Sequence, residues 1–214
     1  MDVPVPASAP VSVRQMTSAD CPAVADIRVR GWQFAYAGLI PRSYLDAMDV
    51  AEDTERCRER HARGDPAVVG LVAERAGRPV GWASFGPYRD SDLPPTDTEL
   101  YALYVHPEHI GTGAGRALMD AVLARCASAG APCVRLWVLR DNARARRFYA
   151  RAGFEADGAE EVFEVHGAPV PEVRLTLWLR APSRPAPSRL CRWLKLGPSG
   201  EGTTTAPRSG PTPR

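Results

Sequence analysis

The sequence of 214 residues lacks any apolar run of about 18 residues, the length that a membrane-spanning helix needs. Its first ten residues, MDVPVPASAP, also lack the basic start and the apolar stretch of a secretory signal peptide. No internal repeat is visible. These absences predict a cytoplasmic protein without a membrane span.

Cysteine is scarce, odd in number and scattered, and no CxxC pair occurs. The five positions are Cys21, Cys57, Cys126, Cys133 and Cys191. This pattern argues against a disulfide framework and against a cysteine metal site. We therefore expect free thiols in a reducing compartment and no bound metal.

A strong excess of one charge is missing as well, since the formal net charge is +2. Residues 181–214 hold six basic side chains and one acidic one, whereas residues 1–180 hold 21 basic and 24 acidic ones. On charge grounds the body of the chain is not a nucleic-acid-binding surface. Apolar content of 44% and charged content of 24% are ordinary for a globular domain.

The composition divides the chain into three parts. Residues 1–10 are rich in proline and alanine, and we expect a flexible N-terminus. Residues 11–180 carry the regular hydrophobic patterns of one domain. Residues 181–214 hold seven prolines with many serines, threonines and glycines, which predicts a disordered tail, although RLCRWLKL within it suits one short helical turn.

Hydrophobic periodicity predicts a mixed α/β order within residues 11–180. A first strand in VSVRQM precedes three helices, and a hairpin with its turn at Arg75 to Arg78 follows. TELYALYV is then a strand, a helix starts at Gly113, and CVRLWVL is a buried strand. A helix from Asn142 to Ala152 leads to two closing strands, EVFEV and VRLTLWL, around the loop HGAPVPE.

The stretch VHPEHIGTGAGRALM places Gly111, Gly113 and Gly115 where a strand ends and a helix begins. Glycines admit close approach to the backbone, and the N–H groups of a helix N-terminus attract anions, so this arrangement suits a phosphate. A flexible turn explains the glycines alone equally well. No Lys-Ser/Thr follows, which excludes a Walker A loop, and the acidic residue of a Rossmann fingerprint is absent.

A second motif, LWVLRDNARARRFYARAGF, combines Asn142, Ala145, Phe148-Tyr149 and Gly153-Phe154 after a strand. With these two motifs, over about residues 11–179, the chain resembles the GCN5-related N-acetyltransferase (GNAT) superfamily. The resemblance implies a single α/β domain with a mixed, mostly antiparallel central sheet flanked by helices. It also implies a splay between strands 4 and 5, and acetyl-CoA as co-substrate.

The resemblance assigns the cofactor contacts. In the family a Gln/Arg-x-x-Gly-x-Gly/Ala turn cradles the pyrophosphate, and here Ile110 stands where Gln or Arg is usual, which removes one side-chain contact. The pantetheine arm enters the splay and pairs with the first of the two strands. The implied cofactor-binding residues are Leu103, Tyr104, Val105, Gly111, Thr112, Gly113, Ala114, Gly115, Arg116 and Asn142.

The same resemblance implies the catalytic groups. The backbone N–H of Val105 would bind the acetyl carbonyl, and Tyr149 would protonate the leaving sulfur. Glu99 is the expected base, since it lies fourteen residues before Gly113, as in the histone-acetylating branch. Strand alternation puts Glu99 on the face of Leu103 unless a bulge intervenes. A chain of water molecules is the alternative base, and a solvated edge carboxylate is the alternative interpretation of Glu99.

A third stretch, WQFAYAGLIP, resembles a segment that forms a wall of the acceptor pocket in relatives. Trp32 and Tyr36 share one helix face at spacing i, i+4 and are the expected substrate-binding residues, although packing against the sheet explains them as well. We expect direct acetyl transfer in a ternary complex to a small-molecule or peptide amine, by a monomer or homodimer. A non-catalytic acyl-CoA sensor whose tail binds a partner is the competing interpretation.

Overall fold

The computed structural model describes residues 9–90 and 97–179, so the predictions for residues 1–8 and for the tail 181–214 lie outside the described residues. The strands are β1 (Val11–Gln15), β2 (Val69–Arg75), β3 (Arg78–Pro87), β4 (Thr98–Val105), β5 (Cys133–Leu139), β6 (Glu155–Val165) and β7 (Ala168–Trp178). The α-helices are α1 (Cys21–Ala35), α2 (Arg42–Asp46), α3 (Val50–Arg63), α4 (Ala114–Ser128) and α5 (Ala143–Arg151). Two 3₁₀ turns, Ser18–Asp20 and Pro107–His109, precede α1 and α4.

All seven strands form one sheet in the order β1-β2-β3-β4-β5-β7-β6. Every neighbouring pair is antiparallel except β4 and β5, which are parallel. Helices lie on both faces of the central strands, because β2 buries the consecutive residues Leu71, Val72 and Ala73 and so has an apolar side chain on each face. The predicted class, a single α/β domain with a mixed, mostly antiparallel sheet, is confirmed.

Strands β4 and β5 pair over two residues only, Thr98 with Val134 and Glu99 with Arg135. Beyond Glu99 the remaining six residues of β4 continue without a register partner on β5. The strands therefore start together and then separate, which confirms the predicted splay.

The larger core lies between the sheet and the pair α4 and α5. Leu118, Met119 and Val122 are fully buried on α4, and Phe148 and Tyr149 pack onto the same cluster from α5. The opposite face of the sheet carries α1 and α3. There Gly31 permits close approach, since a Cβ at that position would lie 3.2 Å from Cδ1 of Tyr104.

The closing hairpin is longer than its sequence predicts. Strand β6 begins at Glu155, and β7 begins at Ala168 and so takes in most of HGAPVPE. Only His166 and Gly167 remain as the turn, both with positive φ, 50° and 79°. Strand β5 ends at Leu139, opposite Glu172, so Pro169 and Pro171 lie past its end. The carbonyl of Pro171 accepts the N–H of Arg140, and the carbonyl of Arg140 accepts from Nη1 of Arg146 instead of from Pro171. Proline is tolerated there because no neighbour requires its missing N–H group.

Four of the five cysteines lie in the described part of the chain, and all four are buried free thiols. Cys191 lies outside it. Among the described helices, none is both long and apolar enough to cross a membrane.

Candidate active site

The open end of the splay exposes one edge of β4. His106 donates its N–H to the carbonyl of Val80, and antiparallel ladders alternate bonded and non-bonded pairs. Tyr104, opposite Trp82, therefore uses its backbone groups to bond β3. Leu103 and Val105 turn their N–H and C=O groups the other way, into the gap that β5 leaves open.

A β-bulge changes the face on which Glu99 lies. The register of β3 and β4 shifts between Ser84 and Phe85, where Tyr101 has no counterpart on β3. As a result Leu100, rather than Glu99, packs with Leu103 in the core under α4. Glu99 lies on the opposite face. Regular strand alternation would have placed it with Leu103, and the bulge is the exception that the sequence analysis named.

The Glu99 carboxylate is 1% exposed and is held by Arg89. Its Oε1 accepts from Nη2 of Arg89 at 2.6 Å, and its Oε2 accepts from Nε at 3.1 Å and from the Arg89 backbone N–H at 3.2 Å. A carboxylate offers about four acceptor sites, so roughly one is left for another donor. The solvated-edge interpretation of Glu99 is therefore wrong, because the side chain is buried and ion-paired.

The glycine turn opens onto the N-terminus of α4. Gly111 and Gly113 have φ values of 83° and 93°, which side-chain-bearing residues rarely adopt, and a Cβ on either would meet nothing within 4 Å. Gly113 caps α4, so the N–H groups of the first helical turn, including those of Ala114, Gly115 and Arg116, are directed out of the helix end. The arrangement suits an anion, as the sequence predicts.

The other side chains of the turn bind within the protein. Thr112 donates its hydroxyl to the carbonyl of His109 at 2.6 Å. Arg116 points along its own helix to Asp120 at 2.8 Å and is largely exposed. Thr112 therefore offers a ligand mainly its backbone, because its hydroxyl is already used within the turn.

Asn142 lies at the end of β5, is 7% exposed, and caps α5. Its Oδ1 accepts the backbone N–H of Ala145 at 3.0 Å. This cap uses one of the two lone pairs of the side-chain oxygen and leaves the amide nitrogen as a donor. The amide nitrogen can therefore donate the hydrogen bond that the sequence predicts to a cofactor arm.

The helices converge at the mouth of the splay. A Cβ on Gly115 would lie 3.5 Å from both Phe148 of α5 and Val105 of β4, so the first turn of α4, the end of β4 and α5 meet there. Tyr149, the next residue on α5, packs edge-on against Phe148 and Phe154, at ring distances of 5.3 and 5.9 Å.

Tyr36 and Tyr104 meet beside the splay, and Tyr149 interacts with both electrostatically; the three are called here the tyrosine cluster. The hydroxyls of Tyr36 and Tyr104 lie 3.2 Å apart. Burial raises the pKa of all three phenols above the ordinary value, and Tyr104 raises that of Tyr149 further. The three hydroxyls therefore stay protonated well into the alkaline range, because burial disfavours the phenolate.

The two residues expected at the acceptor wall differ in role. Trp32 is 6% exposed and packs with Leu45 and Leu139, which supports the packing interpretation for this residue. Tyr36 crosses from the end of α1 to β4 and contributes its hydroxyl to the tyrosine cluster. The Trp32 and Tyr36 rings meet edge-on at 4.9 Å, so Trp32 holds Tyr36 in place.

Sequence reasoning missed two contacts at this site. The first is the contact of the Tyr104 hydroxyl with Tyr36. The second tyrosine of LYALYV could have indicated it, but the sequence was used only to place the Tyr104 backbone. The pairing of Arg89 with Glu99 had no signal, since Arg89 follows β3, Glu99 lies on β4, and the two meet only through the fold.

The chain matches the sequence profile of the Acetyltransferase (GNAT) family over residues 32–154. It is also 31% identical over 165 residues to YuaI of Bacillus subtilis (strain 168), an uncharacterized N-acetyltransferase, a match that covers 77% of this chain and 91% of YuaI. The parallel strands β4 and β5 separate beyond Glu99, and the glycine turn follows the end of β4. Together with these matches, this arrangement defines the class: the chain belongs to the GNAT acetyltransferase family.

Solved structures with the same fold include two that hold the family's co-substrate or its product. One is yncA of Salmonella typhimurium, a putative acetyltransferase with acetyl-CoA, at a TM-score of 0.62 and 24% identity, covering 84% of this chain and 99% of that one. The other is the PaiA N-acetyltransferase of Thermoplasma acidophilum with coenzyme A, at a TM-score of 0.61 and 19% identity, covering 79% and 99%. At these identities the similarity shows the fold.

Proposed function

We propose that the chain moves the acetyl group of acetyl-CoA to a primary amine by direct transfer within a ternary complex. The observation that carries the proposal is an unpaired strand edge, at Leu103 and Val105, that leads to a glycine turn at a helix N-terminus. A pantetheine amide arm suits the edge, and a pyrophosphate suits the turn. The GNAT structures that hold coenzyme A or acetyl-CoA support the same ligand.

In this proposal the backbone binds most of the cofactor. Gly111 and Gly113 leave room for the pyrophosphate, and the N–H groups of Ala114, Gly115 and Arg116 donate to it. Asn142 donates its amide N–H to the arm. The N–H of Val105, which faces the gap, donates to the acetyl oxygen and stabilises the negative charge that develops there.

Two side chains move protons in the proposed reaction. The amine loses a proton to Glu99, directly or through water, and its nitrogen forms a bond to the acetyl carbon. The carbon–sulfur bond breaks, and Tyr149 gives its proton to the sulfur, so that free coenzyme A and an N-acetyl product result. Tyr36 stands on the face of the sheet that carries Glu99, and we propose that it contacts the acceptor, with Trp32 behind it.

The acceptor is identified by incubating the protein and acetyl-CoA with cell extract and finding acetylated amines by mass spectrometry. Release of free thiol from acetyl-CoA is then measured with a panel of amines that includes small molecules and peptides. Thiol release that depends on one class of amine supports the proposal. Tight acetyl-CoA binding without amine-dependent thiol release would instead identify a non-catalytic acyl-CoA sensor.

A further inference from the structure

Arg75 is a buried cation that no step of the proposed reaction uses. It is the last residue of β2 and is 3% exposed. Its Nη2 donates to the main-chain carbonyl of Thr112 at 2.6 Å, across 37 residues of sequence. Burying a guanidinium is costly unless its contacts compensate, so this contact with the glycine turn calls for an explanation.

The contact from Arg75 fixes the orientation of the Thr112–Gly113 peptide. The carbonyl of Thr112 and the N–H of Gly113 belong to one trans peptide, and in such a unit the two groups point in opposite directions. Arg75 holds the carbonyl toward the buried end of β2. The N–H of Gly113 is therefore directed away from the interior, as are the free N–H groups at the start of α4.

This peptide would otherwise be easy to reorient. Glycine flanks Thr112 on both sides, and glycine crosses between positive and negative φ at little cost. The hydroxyl of Thr112 bonds His109, but that bond fixes a side chain and not the peptide plane. Arg75 also acts on the turn through its charge, since it contributes, after burial and His106, to lowering the pKa of His109.

We propose that Arg75 is a positioning residue for the phosphate site. It locks the Thr112–Gly113 peptide so that the N–H of Gly113 faces a bound phosphate, and its buried positive charge adds attraction. The inference rests on the proposed function, because it needs a phosphate-bearing ligand at the turn. It predicts an effect on ligands that carry the pyrophosphate and none on ligands that lack it.

The test compares the binding of coenzyme A with that of pantetheine, which has the same arm without the nucleotide and pyrophosphate. Dissociation constants are measured by tryptophan fluorescence titration. Arg75→Met should weaken coenzyme A binding about tenfold, the scale of one hydrogen bond from a charged donor, and leave pantetheine binding within about twofold. Arg75→Lys should recover most of the loss, because it restores a cationic donor.

Arg78→Met is the matched control. Arg78 lies opposite Arg75 in the hairpin register but is exposed, so the variant removes the same charge nearby without touching the turn. It should bind both ligands as the wild type does. If Arg75→Met fails to fold, Arg75→Gln takes its place in the same comparison.

Two results would overturn the role of Arg75. One is coenzyme A binding that is unchanged in Arg75→Met, and the other is an equal loss for both ligands, which would indicate general damage to the fold. Either result leaves the proposed function intact as long as the wild type binds coenzyme A. A wild-type protein that does not bind coenzyme A refutes the proposed function itself.

Discussion

Replacing Tyr149 by phenylalanine removes one hydroxyl and keeps the ring. The ring packs against Phe148 and Phe154, and phenylalanine preserves both contacts. The variant should therefore fold, and its free energy of unfolding should stay within about 0.5 kcal/mol of the wild type. A loss of activity would then support the proposed role of the hydroxyl as proton donor.

The expected loss in kcat is about a hundredfold. A positioned proton donor contributes about 10²–10⁴-fold, and a thiolate leaves tolerably well without help, so the lower end applies. A hundredfold loss corresponds to about 2.7 kcal/mol of transition-state stabilisation. The dissociation constant for coenzyme A should hardly change, because the backbone of β4 and the glycine turn supply the proposed contacts.

The pH dependence gives an independent measure. Burial raises the pKa of Tyr149 above the ordinary value of about 10, and Tyr104 adds to the shift. An acid is active while it holds its proton, so the hydroxyl is competent below its folded pKa and is lost as the pH rises through it. The ratio of wild-type to variant kcat should therefore stay constant from pH 7 to about 10. The ratio is used because the acceptor amine titrates equally in both assays, so its effect on kcat divides out.

The assay measures kcat with the best acceptor, and coenzyme A binding by calorimetry, for wild type, Tyr149→Phe and Tyr101→Phe. Tyr101 is the matched control, since its hydroxyl donates to the carbonyl of Pro87, away from the tyrosine cluster. An unchanged kcat in Tyr149→Phe would refute the proton-donor role and leave Tyr149 as a packing residue. A collapse of coenzyme A binding would make it a ligand contact instead.

Three further changes test other parts of the site and fold. Gly113→Asp should abolish measurable acetyl-CoA binding in calorimetry, because it adds a negative charge and a Cβ at a φ of 93°; wild-type affinity would mean that the phosphates bind elsewhere. Glu99→Gln should lower kcat about 10²-fold or more with little change in cofactor affinity; a loss below about threefold would favour a water chain as the base. Leu118→Ala should lower the free energy of unfolding by about 2–5 kcal/mol in urea denaturation, because Leu118 is fully buried; a loss below about 1 kcal/mol would contradict that packing.

The elements of the fold follow from local patterns in the sequence. Two local signals predict every α-helix and most strand ends: apolar periodicity, and the turn or end residues Gly77, Pro107 and Gly153. Both signals act over a few residues. The closing hairpin was predicted too short, since Pro169 and Pro171 usually end strands. Whether a proline is tolerated depends on where the neighbouring strand stops, and that neighbour is distant in sequence.

Some features of the candidate site could be predicted from the sequence, and others could not. Backbone features such as the glycine turn and the cap at Asn142 have sequence signatures, because particular residue types are needed there. Three other features have no sequence signature: the bulge at Tyr101, the ion pair of Arg89 with Glu99, and the hydrogen bond from Arg75 to Thr112. Each depends on which segments the sheet brings together, and several residue types would serve at each position.

The splay leaves the sheet with an edge in its interior. Exposed strand edges are hazards in proteins, because another chain can add to them, and most folds cover or charge them. Here the end of β4 is flanked by α1, where Gly31 approaches Tyr104, and by the start of α4, where Gly115 approaches Val105. The fold thus keeps the width of one strand open between β4 and β5 beyond Glu99, and the proposed pantetheine arm would complete the sheet by filling it.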